Sequence, residues 1–203
     1  MAKNADAKRV KILDAAKRRF AHYGLAKTTM AEIAQDLSFS KALLYYYFPD
    51  KNRLYAAVFE SVVDEIFTTT SEKINKTKSI DEAMEAFLLT RLTIIKENFN
   101  IFEFTYSLRN DFPTDIEEIL PTFFEREVNL VSFILQRGAN NNEIQVDDFD
   151  LTAKIFLISL LGMRLGILQE IKSIFLPPTK EEFDYILSLQ QKLSTIFING
   201  LRI

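Results

Sequence analysis

Residues 28–48, reading TTMAEIAQDLSFSKALLYYYF, leave the chain little choice of local structure. Thr29 is placed to cap a helix, and Glu32 three residues later completes a capping box. Ile33 and Leu37, four apart, give that helix one apolar face over Met30 to Leu37. Ser38-Phe39 breaks the pattern. Ser40 is then the cap of a second helix that begins with Lys41. In that helix Leu44 and Phe48 share a buried face while Lys41 and Tyr45 share another. Pro49 ends it, because proline lacks the N–H and pushes its predecessor out of helical geometry.

Two short helices joined by so tight a turn predict a helix-turn-helix whose second helix exposes a lysine and three tyrosines. That surface suits DNA. A helix N-terminus offers unpaired backbone N–H groups to a phosphate, Lys41 adds a full charge, and tyrosine hydroxyls donate to phosphate oxygens. The stretch resembles the N-terminal domain of TetR-type transcriptional regulators. The resemblance rests on Leu44-Tyr45-Tyr46-Tyr47-Phe48 followed by Asp50-Lys51-Asn52-Arg53-Leu54, and its specific part covers about residues 10–54. It departs from the family pattern at Ser38 and Ala42, where glycine is usual, and at Leu43, where a small or hydroxyl residue is usual. A less comfortable turn is expected at Ser38, and apolar base contacts at Ala42 and Leu43, thymine methyls among them. The expected contacts are Thr29, Lys41, Tyr45, Tyr46 and Lys51 at phosphates, Lys51 being what the resemblance implies, and Lys41, Ala42, Leu43 and Tyr47 nearest the bases, with Ser40 capping the helix that carries them.

A net charge of −3 looks wrong for such a partner until it is divided. Residues 1–60 hold 11 Lys and Arg against 6 Asp and Glu, whereas the remainder hold 14 against 22. A basic head on an acidic body concentrates attraction for phosphate at the motif. Cysteine is absent and glycine and proline number five each, which excludes a disulfide scaffold and favours long helices. No signal peptide pattern is visible at the start, and the most apolar run, Ile155 to Leu168, is short and holds Arg164, so a cytosolic chain without membrane spans is expected. No cofactor or metal motif appears.

The expected fold is all-α, with about nine helices: a three-helix DNA-binding domain over residues 1–50 and a larger helical effector-binding and dimerisation domain over 51–203. After a frayed lead-in at residues 1–6, a first helix from Ala7 carries an apolar stripe at Val10, Leu13, Ala16, Phe20 and Tyr23 and ends at Gly24 in a left-handed cap. Lys11, Lys17, Arg18 and Arg19 read mainly as a solvated face, and His22 as a helix-end residue. Asp50 caps a fourth helix to about Asn75, with Leu54, Val58, Val62 and Phe67 inside, able to pack on both head and body. Ser79 with Glu82 opens another from Asp81 to about Asn98. A shorter helix follows over Ile101 to Arg109, and Thr114 with Glu117 offers a further cap. Pro121 falls in the first turn of a helix bearing Phe124, Val128, Val131 and Leu135, which Gly138 and the three asparagines after Ala139 end. Asp147 or Asp148 opens an apolar helix to about Ile174. Pro177-Pro178 separates it from a last one, capped by Thr179 with Glu182, running to Asn199.

Fourteen of the eighteen phenylalanines lie after residue 60. They read either as ordinary core or as the lining of a cavity for an apolar or amphipathic molecule, the latter being what the resemblance implies. Candidate lining residues are Phe67, Phe87, Phe102, Tyr106, Phe124, Phe133 and Phe156, with Arg91, Arg109 and Arg164 able to orient an anionic group. The last two helices are candidates for a homodimer interface through Leu161, Gly162, Leu165, Gly166, Leu189, Leu193, Ile196 and Phe197. Gly162 and Gly166 allow close approach of a neighbouring helix, and two copies on a two-fold axis read two half-sites of a palindrome. Two other readings stay open. One is a DNA-binding dimer controlled by a partner protein or acting architecturally. The other is an enzyme using carboxylates alone. Glu117, Glu118, Glu125 and Glu127 are numerous enough for that, but their spacing reads as a solvated face.

Overall fold

The computed structural model describes residues 2–102, 114–171 and 179–203. Its order is α1 (Ala2–Lys27), α2 (Met30–Asp36), α3 (Lys41–Tyr47), α4 (Lys51–Ile74), α5 (Ile80–Glu97), α6 (Phe99–Phe102), α7 (Thr114–Glu117), α8 (Leu120–Asn140), α9 (Phe149–Ile171) and α10 (Lys180–Leu201). The fold is all-helical; among the described residues the only β contact is an isolated bridge from Ile144 to Arg202.

The caps form where polar side chains of the right reach precede apolar runs. Thr29 and Thr179 make reciprocal capping boxes with Glu32 and Glu182, while Ser40, Asp50 and Ser79 each accept from a backbone N–H three residues on. At Ser79 the box is not reciprocal: Glu82 accepts from the N–H of Lys78 instead. Asp148, not Asp147, caps α9, accepting from Leu151 at 2.9 Å. Pro121 lies in the first turn of α8.

Several expectations need correction. The first helix begins at Ala2 rather than Ala7, and Gly24 breaks it at φ 75°, ψ 174°, in a region open only to glycine, before a further turn to Lys27. Its buried stripe is Ile12, Ala15, Ala16 and Phe20; Val10 and Tyr23 are half exposed. Ala16 and Phe20 are buried as expected and Leu13 packs half-buried on the same core, so only the two ends of the expected stripe, Val10 and Tyr23, lie outside it. Gly138 does not end α8. It lies buried inside the helix, where an added Cβ would stand 2.7 Å from Ile80 Cδ1. The chain reverses instead after Asn141, with Asn142 at φ 58°. Thr114 is the first residue of α7 rather than its cap, and α6 begins at Phe99. The rest of the helix expected to Arg109, with Tyr106 and Arg109 themselves, lies outside the described residues, as does the Pro177-Pro178 break.

Helices α1–α3 close around Ile12, Phe20, Ile33, Leu44 and Phe48. The same buried cluster continues without interruption through Leu54, Tyr55, Val58 and Phe59 of α4 to Ile95, Phe102 and Phe183. Ordinary hydrophobic burial therefore joins head and body, with Phe20 edge-on to Tyr55 at 5.0 Å between ring centroids. A second cluster, at the far end, packs α5, α8, α9 and α10 around Phe87, Val131, Leu135 and Phe156.

Candidate nucleic-acid interface

The turn between α2 and α3 takes the strained form expected of Ser38. Its φ is 53°, left-handed for a residue with a Cβ, and Phe39 N donates back to Ala34 O at 2.9 Å. That turn sets α3 with Leu44 and Phe48 buried and the opposite face in solvent. Lys41, Ala42, Tyr45 and Tyr46 lie on that open face, with Tyr46 80% exposed. Ser40 Oγ accepts from Leu43 N at 3.2 Å, so the cap occupies one of the free N–H groups at the start of α3. Leu43 and Tyr47 are half-buried; Tyr47 packs against the head core with its ring edge-on to Tyr46.

Thr29 is exposed, its N–H and hydroxyl both bonded to Glu32. Lys51, at the start of α4, places its ammonium 2.8 Å from the carbonyl of Leu25, just past the Gly24 break. It thereby ties α4 to the loosened end of α1, and an ammonium has two further N–H groups to offer.

Two basic residues read as a solvated face are used inside the molecule. Arg19 grips Asp36 with two bonds, Nε to Oδ2 at 2.6 Å and Nη2 to Oδ1 at 2.8 Å, and lies 3.4 Å from Glu32. These contacts fasten α1 to α2. The Arg19 hydrogen bonds hold the Asp36 carboxyl below its usual range, and Thr29 does the same for Glu32. Lys17 pairs with Glu65 of α4. The sequence carried no signal for these partners, which lie 17 and 48 residues away.

The body holds a cavity of about 280 Å³ between α4, α5, α6, α8, α9 and α10. Of the residues expected at such a cavity, Arg91, Phe102, Phe124 and Arg164 line it. Phe123, beside Phe124, also lines it, as do Phe59, Glu127 and Gln190, which no sequence pattern singled out for that role. Leu161, expected at a subunit interface, contributes to the wall while remaining 44% exposed. Phe87 and Phe156 are instead fully enclosed in the second core cluster, Phe156 against Phe197 at 5.1 Å. Phe67 and Phe133 line a separate open groove with Arg126, whose guanidinium lies 4.2 Å over the Phe67 ring. Glu127 is not on a solvated face: it is buried and ion-paired with Arg91, whereas Glu117, Glu118 and Glu125 are exposed.

At the other end, α9 turns Ala153, Phe156, Leu157 and Leu160 inward and leaves Leu151, Ile155 and Ile158 at least half exposed. With Gly162 and Leu165 these recur at alternating spacings of four and three, the period of a helix–helix seam. Among the described residues, nothing lies within 4 Å of a Cβ built on Gly162 or Gly166. On α10, Ile196 is 61% exposed, while Leu189, Leu193 and Phe197 are half-buried against the chain's own core. No helix among the described residues is long and apolar enough to cross a membrane.

Comparison with known proteins bears on this arrangement. Residues 12–58 match the family model described as bacterial regulatory proteins of the tetR family. The uncharacterized HTH-type transcriptional regulator YhgD of Bacillus subtilis is 30% identical over 157 residues, 72% of this chain and 76% of that protein. The crystal structure of a transcriptional regulator from Cytophaga hutchinsonii superposes with a TM-score of 0.81 at 29% identity, covering 95% of this chain and 97% of that one. A structure from Saccharomonospora viridis, in complex with choline, shares the fold with a TM-score of 0.69 at 17% identity over 98% of this chain and 99% of that one. A head with one exposed helix face, a helical body and these relatives lead to one assignment: the chain belongs to the tetR family of bacterial regulatory proteins and is a DNA-binding transcriptional regulator.

Proposed function

We propose that the protein is a cytoplasmic homodimeric repressor that leaves its operator when a small apolar or amphipathic molecule fills the body cavity. Residues 1–50 serve as the DNA-binding unit and residues 51–203 as the effector-binding and dimerisation unit. Lys41, Ala42, Leu43 and Tyr47 approach the base edges, and Thr29, Tyr45, Tyr46 and Lys51, with Lys41, hold phosphates. The cap residue Ser40 fixes the start of the helix that enters the groove. Two copies joined through α9 and α10 present two such helices to half-sites about one turn, ~34 Å, apart.

The observation that carries this reading is the position of the cavity. Its wall includes Phe59 on α4, the helix that begins at the head, and Phe102 on α6, a single turn fastened to α1. A molecule that fits one arrangement of that wall better than another shifts both contacts together. A differential affinity of about 3–4 kcal/mol gives a few-hundred-fold change in DNA affinity.

Selection of duplexes from a random pool, together with light scattering in solution, tests the proposal. A two-fold symmetric site with half-sites one turn apart and a dimeric mass are expected. A stable monomer, or a pool with no symmetric sequence enriched, overturns it.

A further inference from the structure

The cavity wall is apolar over most of its extent: Phe59, Ile95, Phe102, Phe124 and Leu157 are typical of it. Among the described residues, four polar side chains interrupt that surface. Arg91 and Glu127 face each other in a partly buried ion pair, with Glu127 the buried partner. Arg164 adds a second guanidinium. The fourth, Gln190, is only 2% exposed, and its Oε1 has no hydrogen-bond partner among the described residues. A buried acceptor left without a donor costs free energy that a donor on an occupant recovers. The last torsion of glutamine is broad, so a modest rotation turns that oxygen towards an occupant.

We infer that the cavity takes an uncharged amphipathic molecule of the phenol or alcohol class, with an apolar body and one hydroxyl that donates to Gln190 Oε1. Size and hydrogen-bond chemistry converge on this class. At the ~30 Å³ that one water-sized unit occupies in a liquid, the cavity accommodates on the order of ten non-hydrogen atoms. An aromatic wall alone also suits a quaternary ammonium, through the faces of its rings. Such a cation, however, has no N–H or O–H to give Gln190 Oε1 and must shed its water to enter a largely apolar wall, while a carboxylate brings only further acceptors. The inference rests on the effector reading above and refines it by naming the occupant's chemistry.

The test uses the full-length dimer without DNA and three probes of nearly equal size: 4-propylphenol, 4-propylanisole and phenyltrimethylammonium. Calorimetric titration of the unmodified protein is expected to show 4-propylphenol binding at least fivefold more tightly than its methyl ether, the factor one neutral hydrogen bond supplies. Phenyltrimethylammonium is expected to be the weakest of the three. In Gln190→Met, which keeps the bulk but removes the acceptor, the phenol-to-ether ratio is expected to fall to about one. An unchanged helical circular-dichroism spectrum and unfolding midpoint show that the variant is folded, and Gln190→Leu supplies a second substitution should methionine pack poorly.

The inference is overturned if the ether binds as tightly as the phenol, if the ratio survives both substitutions, if the ammonium binds best, or if none of the three binds at millimolar concentration. Because no DNA is present during the titration, such a result leaves the operator-binding reading standing. Failure of operator binding, conversely, leaves these ratios interpretable.

Discussion

The side-chain amide of Asn100 donates to the carbonyl of Ala21 at 2.8 Å and to that of His22 at 3.1 Å. It thus serves acceptors in the turn of α1 just before the Gly24 break, where the helical ladder is interrupted. Next to it, Ile101 O accepts from Tyr55 of α4 at 2.8 Å, and Phe102 faces the cavity. One four-residue turn therefore touches the DNA-binding head, the connecting helix and the candidate effector site.

Asn100→Ala is expected to lower global stability by about 1 kcal/mol, the typical net worth of such a bond. Hydrogen exchange should quicken at the amides around Gly24 before it does elsewhere. Urea titration and exchange mass spectrometry measure the two. Unchanged protection around residue 24 would show that the α1 end is held by packing alone.

On the DNA side, Lys41→Ala and Lys51→Ala should each weaken binding to every duplex and flatten the dependence of log K on log salt by about one. Leu43→Ala should instead change which sequences are preferred. Lys51 already gives one N–H to Leu25, so its variant should also loosen the end of α1, which Lys41→Ala should not. A salt slope unaltered in Lys51→Ala would reassign that lysine to a purely internal role.

The glycines of the body make opposite predictions. Gly138→Ala forces a Cβ against Ile80, and since that contact is to a branched, fully buried side chain, a loss of about 1–3 kcal/mol is expected on thermal unfolding. Gly162→Ala and Gly166→Ala meet nothing among the described residues, so helix propensity alone should stabilise each by up to about 1 kcal/mol. If these glycines let two α9 helices approach, the same substitutions should raise the dimer dissociation constant. Sedimentation of the two variants across a dilution series separates these effects; an unchanged dissociation constant would move the seam away from the glycines.

These contrasts mark what could be read from the sequence. Caps were legible because the signal is local: Thr29, Ser40, Asp50, Ser79 and Thr179 each lie three residues from the N–H they accept. The exposed face of α3 followed from the burial of Leu44 and Phe48. Gly138 was misread because a glycine near the end of an apolar stripe looks like a terminator, and only the approach of Ile80, 58 positions earlier, shows otherwise. Phe87 and Phe156 could not be told from Phe102 and Phe124, since periodicity places a side chain inward without saying whether core or cavity awaits it. Glu127 was hidden for the same reason: its partner Arg91 is on another helix.

Acid should loosen the head. Glu32, through its hydrogen bonds with Thr29, and Asp36, through those from Arg19, both titrate below their usual range in the folded protein. Their contribution is whole above the unfolded carboxyl range near pH 4 and is lost as pH falls through the lower folded values. Asp36→Asn should therefore lower the urea midpoint at pH 7, and the gap from the unmodified protein should narrow as the pH falls below the unfolded carboxyl range near pH 4. A gap independent of pH would mean that the ionised carboxylate adds nothing beyond shape.

The unbroken cluster running from Ile12 and Phe20 through Tyr55 and Phe59 has a consequence for anyone exchanging DNA specificities between relatives. A transplant cut at residue 50 would strip the donor segment of the floor it folds against and leave the recipient with an uncovered wall. Chimeras joined after Phe59, with Phe20 and Tyr55 travelling together, should express as folded hybrids where earlier junctions give aggregates.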